Sequence, residues 1–513
     1  FKYWDAIYYY PRMQGGFIWD WVDQGILNKN GGKPYYLYGG DFGEEIHDGN
    51  FCINGLVNPD RLPHPGIYEL KYQMQNIKVH WTKNKKDHIK IENRFFFSTL
   101  ENINGYGIVH ENGNPIFNFM LDLNNIFPGD FKEIEIPIYK KRLIKEGKEY
   151  TLNFYFKLKK ETPWADKNHI IASDQIILQT IPTYKNNFNS KILKLANKFK
   201  IPKIQDINSE LTFERNNDGI VVSASGRKFQ FNFNQGQLIK VFLNDQEIVS
   251  EPFIHNIWRA PTDNDRGGSF DESFYGRWKT AGYDSLIRKV KSVDYQQINE
   301  KLIRINVDES YSNHKSEILV AMSYKIYSNG DLKLEIETDI NPILPVVPKI
   351  GLKTKIPKNF SKIKWYGRGP NETYSDRKLG SHIGIYNKSV NELYFPYVKP
   401  QENGNLSDIR WVSIANMKGQ GIIIYGKNHF NFSAHRYSLK NLTAATHTNE
   451  IENKRSITLN IDHKIMGVGG DDSWSPRTHE EFLIKPDIYK YSYIFRFTND
   501  IDLDLKNNFS NVN

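Results

Sequence analysis

The chain has 513 residues, more than one hydrophobic core sustains, so about three domains are expected. With 39% hydrophobic residues it has the material for large cores, and no apolar run approaches the ~18 residues of a membrane-spanning helix. The formal charge of +9 comes from lysines interleaved with acids and accompanied by no groove-reading or base-stacking motif, so nucleic acid is not an expected partner. The densest runs, Lys83 to Lys86 and Lys140 to Lys148, read as solvated edges.

In chain order, Phe1 to Tyr10 reads as the end of an amphipathic helix, with Phe1, Trp4 and Ile7 on one face and Pro11 stopping it. Gly15 to Trp19 reads as a short buried strand that emerges into a polar loop. Pro63-His64-Pro65-Gly66 precedes a helix over Ile67 to Tyr72. A helix, a buried strand, long glycine-rich loops and a closing helix suit the end of a (β/α)₈ TIM barrel over residues 1–77.

From there the apolar period becomes two. Ile134, Ile136 and Ile138 alternate with polar residues, as do Tyr150, Leu152, Phe154, Phe156 and Leu158, each segment with one face for a core and one for water. Residues 78–183 are expected to form an immunoglobulin-like β-sandwich. Residues 184–210, rich in Lys, Asn and Ser, read as a linker. Beyond it, Phe229, Phe231 and Phe233 lead into a turn at Asn234 to Gln237. Alternation returns at Ile303 to Val307, at Leu332 to Ile336 and at Tyr489 to Phe497. Residues 211–500 are therefore expected to be a large two-sheet sandwich, and 501–513 a tail. The expected fold is multidomain and mainly β.

Cys52 is the sole cysteine, so no internal disulfide can form and a reducing compartment is compatible. The chain opens on Phe1 inside a helix, which reads as a missing front portion. A signal peptide therefore cannot be judged; a cytoplasmic location is the expectation, with the periplasm and the exterior open.

Three loops have a composition that packing alone does not explain: Gln14 to Gln24 (QGGFIWDWVDQ), Tyr38 to Gly43 continuing to Phe51-Cys52-Ile53-Asn54-Gly55-Leu56, and Gly467 to Pro476 (GVGGDDSWSP). Trp258 to Asp265 (WRAPTDND), Gly367 to Glu372 (GRGPNE) and Pro396 to Gly404 (PYVKPQENG) complete the set. Six such patches, occurring along the chain in the family's order, closely resemble the C-terminal half of long-type β-galactosidases of glycoside hydrolase family 2, from Phe1 to about Phe497.

That resemblance implies a galactose-mutarotase-like, small-chain-type architecture for the large sandwich. It also implies a retaining hydrolase that releases terminal β-D-galactose from β-galactosides such as lactose. Retention needs two carboxyl groups about 5–5.5 Å apart. In the family both are glutamates upstream of the position matching Phe1, so the chain alone is expected to be inactive. Asp20, Asp23 and Asp41 are read as acceptors of backbone N–H groups that fix loops.

The substrate-binding residues implied are Trp19, facing the C–H side of a galactose ring, Asn54, and Trp474, stacking on the leaving sugar. The Phe51 carbonyl and the Asn54 side-chain oxygen match ligands of a sodium ion, while the ligands of the family's Mg²⁺ lie upstream. Gly267 and Gly268 begin a segment, to Phe274, placed to act as a flap. The implied partners are the β-galactoside, the N-terminal half of the same chain and further copies in a homo-oligomer. A non-catalytic carbohydrate-binding or complementing subunit of a split β-galactosidase is the alternative.

Overall fold

The computed structural model describes residues 2–178 and 210–510, save positions 31, 83, 84, 86, 139, 140, 142, 146, 147 and 473. The expected linker, apart from Glu210, lies outside the described residues. Among those described, no helix is long and apolar enough to cross a membrane.

The first region has little regular structure. The opening helix runs Lys2–Tyr9 and buries none of its side chains. Trp4 and Ile7 are half-covered, and Tyr8 lies under the Arg94 guanidinium at 4.4 Å. A short hairpin pairs Ile26–Asn28 with Tyr35–Leu37, and the helix Gly66–Met74 leads into the next region.

The expected buried strand at Gly15 to Trp19 does not form. Phe17 and Trp19 are 107% and 83% exposed, and no ladder includes them. A barrel strand is held by hydrogen bonds to strands on both sides and covered by a shell of helices. Among the described residues no such neighbour flanks this segment, so its apolar side chains face solvent.

The second region is a seven-strand antiparallel sandwich of three and four strands around Ile77, Ile89, Ile91, Val109, Leu152, Phe154 and Phe156. Two details depart from the sequence pattern. The strand holding Ile134 stops at Glu135, and Ile136 and Ile138 remain fully buried in the loop that follows. The strand Tyr150–Leu158 has no water-facing side over most of its length: Thr151 and Asn153 are also buried. Gln175 explains the cover near Asn153. It donates to Asn153 Oδ1 (2.7 Å) and to the Ile383 carbonyl (2.8 Å), and accepts from the Ile383 amide, joining this sandwich to the next region. Lys148, expected at a solvated edge, is buried with its ammonium 3.5 Å from Glu111.

The third region packs a five-stranded sheet on a twelve-stranded antiparallel sheet. The alternating aromatics of the two sheets interlock: Phe229 meets Phe497 at 5.8 Å and Phe231 meets Tyr324 at 5.3 Å, both edge to face. Residues expected as a tail contain the helix Ile501–Ser510, whose Ile501 and Leu505 pack with Tyr366, Trp411 and Tyr425.

A candidate functional site between the first and third regions

Loops of the first and third regions meet around a cleft of about 240 Å³ lined by Asp48, Asn50, Phe51, Ile53, Asn54, Asp263, Arg266, Gly267, Gly268, Lys399 and Trp474. Of the residues singled out in the sequence, the structure brings together Phe51, Asn54, Gly267, Gly268 and Trp474. It does not bring Trp19 into the lining. Trp19 stands beside it, since the next residue, Asp20, donates its amide to the Asn54 carbonyl at 3.3 Å.

The barrel-derived wall is built on a close backbone approach. Gly55 lies against the chain at Val22-Asp23, where an added Cβ would meet the Asp23 amide nitrogen at 2.2 Å. Only glycine permits this contact. Asp23, buried, accepts the Gly55 amide at 2.8 Å, and its other oxygen lies 3.1 Å from His64 Nε2. His64 packs edge-on against Phe395 and Tyr397 of the sandwich.

Asp20 accepts the Trp21 amide and the Gln24 side chain, and Asp41 accepts the Tyr38 amide at 2.7 Å. All three aspartates thus hold loops through backbone N–H groups. Asp41 also reaches His447 Nε2 at 2.8 Å.

The Gly49–Cys52 turn carries Phe51 and ends beside Asn54. The Asn54 side-chain oxygen is buried and, among the described residues, receives no hydrogen bond. An unsatisfied buried acceptor costs about 1–3 kcal/mol, so a ligand that supplies positive charge would recover that cost. Phe51 and Asn54 offer the neutral oxygens that a hard monovalent cation takes, and the residues present fit a sodium ion.

The sandwich-derived wall starts at Arg259, fully buried and paired with Asp265 at 2.8 Å. The same guanidinium donates to the carbonyls of Met466 (2.6 Å) and Gly467 (2.9 Å), the root of the Trp474 loop. Asp265 and Thr262 form a reciprocal cap on the helix Asp263–Arg266, which aims Arg266 and Gly267 at the cleft. Asn264 donates to the Val468 carbonyl, and Asp376 accepts the amides of Val468 and Gly469. At the tip, Asp472 accepts from the amides of Trp474 and Ser475 and from the Ser475 hydroxyl. Trp474 is presented on this braced loop, 63% exposed.

A polar bridge closes the floor. Lys399 donates to Asn50 Oδ1 (2.8 Å), Asn50 donates to Asp263 Oδ1 (2.8 Å), and Gln401 donates to Asp263 Oδ2 (3.0 Å). Burial holds the Lys399 ammonium below its usual pKa, with Asp263 pulling it back up. None of these residues was expected as lining. Asp263 and Lys399 sit in two of the quoted motifs; Asn50 stands next to Phe51 in an ordinary turn. Their shared location was the only signal, and it appears only after folding.

Residues 223–497 match the family model described as beta galactosidase small chain. The chain belongs to glycosyl hydrolase family 2. Residues 1–79 match the TIM barrel domain of that family, and residues 89–179 match beta-galactosidase domain 4. Among curated relatives, a beta-galactosidase of Pseudoalteromonas haloplanktis is 36% identical over 505 residues, covering 96% of this chain and 46% of the relative. One from Vibrio cholerae is 34% identical over 503 residues, with 97% and 46% covered. The chain thus spans about half the length of these family 2 relatives and matches their C-terminal half. A solved galactose 1-epimerase from Lactobacillus acidophilus covers 57% of this chain at 8% identity and a TM-score of 0.32, too distant to inform the chemistry.

Proposed function

We propose that this family 2 chain is the C-terminal half of a retaining β-galactosidase, which releases terminal β-D-galactose from galactosides such as lactose. The observation that carries the reading is the cleft: Phe51 and Asn54 from the barrel-derived loops meet Gly267 and Trp474 from the sandwich, 213 or more positions away in sequence, around one space of sugar-ring size.

The division of labour follows from the groups present. Asn54, with its unmatched oxygen, and the Phe51 carbonyl would hold a sodium ion, which supplies fixed positive charge to a galactose hydroxyl. Trp474 offers an apolar face to the leaving sugar, excluding water and orienting the bond to be broken. Trp19 is assigned to the galactose side. The two glutamates of the family, and the Mg²⁺ ligands, belong to polypeptide upstream of the position matching Phe1. The acids that line the cleft do not replace them: Asp263 is tied to Asn50 and Gln401, and Asp48 lies at the exposed rim.

The exposed aromatic surface of Tyr3, Tyr9, Tyr10, Phe17, Trp19 and Trp21 is where the rest of the barrel would pack. A separate complementing chain could cover the same surface. The small-chain region is continuous here with a barrel-derived segment, which favours a single polypeptide.

The test is hydrolysis of an aryl galactoside by this chain and by the chain extended upstream through both glutamates. Activity in the extended protein and none in the shorter one is expected. An extended protein inactive on β-galactosides but active on another glycoside would refute the substrate assignment. Oligomer formation, read by light scattering on the extended protein, is expected to give a closed assembly of identical copies.

A further inference from the structure

We propose that Arg266 reads an oxyanion on the leaving-group side of the cleft, so that the preferred galactosides carry a carboxylate or a sulfate ester on the sugar that departs. This rests on the reading of the cleft as a galactoside site and adds to it a chemical class for the leaving group.

Two cations line the cleft, and they differ in what already holds them. Lys399 is occupied, donating to Asn50 and standing 3.7 Å from Asp263. Arg266 is half-buried and, among the described residues, its side chain makes no ion pair and no hydrogen bond; its Nε is buried without a partner. The guanidinium rests on the Tyr275 ring, 4.3 Å from the centroid. That contact holds the group against an aromatic face and leaves its terminal nitrogens without a partner among the described residues.

The neighbouring carboxylates are spoken for. Asp265 is paired with Arg259, Asp263 accepts from Asn50 and Gln401, and Asp472 accepts from Trp474 and Ser475. Asp48, on the opposite rim, is exposed and makes no ion pair among the described residues. A partly desolvated cation without a counter-charge is costly unless an occupant supplies one. A guanidinium edge matches the paired oxygens of a carboxylate or sulfate better than a single hydroxyl.

Position assigns the group to the leaving side. Arg266 directly precedes Gly267, whose Cα lies against the backbone of Trp474 and Ser475. The galactose-side residues Phe51 and Asn54 belong to the other wall.

The experiment uses the enzyme extended to full length and two matched pairs of substrates. Lactobionate and lactitol differ by a carboxylate on the leaving group; lactose with a 6-sulfate on its glucose, against lactose, supplies the sulfate arm. At low salt, kcat/KM for the anionic member of at least one pair is expected to exceed its neutral partner by about tenfold, the scale of one charge-assisted contact. Arg266→Met is expected to bring that ratio near one, and Arg266→Lys to retain part of it. The readout is a ratio within each variant, so a general loss of activity cancels. The arm that shows the preference identifies the anion. Ratios near one in the unaltered enzyme, or a preference that survives Arg266→Met, would overturn the proposal. An enzyme that cleaves neither member of either pair would overturn the galactoside reading itself.

Discussion

Gly267 supports Trp474 from beneath: a Cβ added at Gly267 would sit 2.9 Å from the Trp474 carbonyl carbon and 2.8 Å from the Ser475 amide nitrogen. The segment that begins at Gly267 and the tryptophan loop therefore share one contact surface.

Gly267→Ala is expected to push the Trp474 loop outward. The backbone at Gly267 (φ −60°) accommodates alanine, so the effect comes from the contact and not from strain. In the full-length enzyme, transfer of galactose to a glucose acceptor is expected to weaken several-fold, with a midpoint of unfolding close to that of the parent. Gly268→Ala is the converse case. At φ +87°, with the nearest neighbour of an added Cβ, Pro476 Cδ, at an ordinary contact distance of 3.4 Å, it is expected to cost about 1–2 kcal/mol of stability, read by urea unfolding, through backbone strain.

Arg259→Met leaves the Asp265 carboxylate buried without its partner and frees the carbonyls of Met466 and Gly467. Breaking a buried pair from one side costs about 3–5 kcal/mol. Urea unfolding is expected to show a loss of that order, partly recovered by adding Asp265→Asn, which removes the stranded charge.

Asn54→Ala removes the unmatched buried oxygen. If that oxygen ligates sodium, the sodium concentration for half-maximal activity in the full-length enzyme is expected to rise by about tenfold, equivalent to ~1.4 kcal/mol. A titration of sodium against potassium at constant ionic strength measures it. An unchanged sodium midpoint would remove Asn54 from the ion site.

Glu402 predicts a pH effect. Burial raises its pKa to about 7, while Lys349 and Arg259 pull it back. An unfolded glutamate titrates near ~4.3, so the folded chain holds a proton that the unfolded chain has released. This contribution to stability is fully present below that value and lost as pH rises through about 7. Asp462, raised by burial to about 6 beside Lys349, acts in the same direction. Glu402→Gln is expected to flatten the decline in stability between pH 5 and 7.5, measured by urea midpoints across that range.

Several sandwich strands were readable from sequence because they carry their own period. Tyr489 to Phe497 alternates in sequence, and its strand Ile488–Thr498 crosses the middle of the twelve-stranded sheet. The helix Gly66–Met74 was announced by Pro65. The segment from Gly15 to Trp19 misled because its composition encodes burial, and burial requires neighbours that the described residues do not provide. The inward cover on Asn153 was invisible for a related reason: Gln175 and Ile383 provide it from another strand and another sandwich.

Within the cleft, the family resemblance singled out Phe51, Asn54, Gly267 and Trp474. It gave no sign of the bridge through Lys399, Asn50 and Asp263. That bridge exists only because three loops converge, and no local period records a contact between residues 213 or 349 positions apart.

Removing the indole of Trp474 in the full-length enzyme tests the shared cleft most directly. With Trp474→Ala, the concentration of glucose needed to accept the galactosyl group is expected to rise at least about tenfold, while inhibition by free galactose changes less than about twofold. Equal losses in both, or no loss in acceptor affinity, would contradict a cleft in which the sandwich holds the leaving sugar and the barrel holds the galactose.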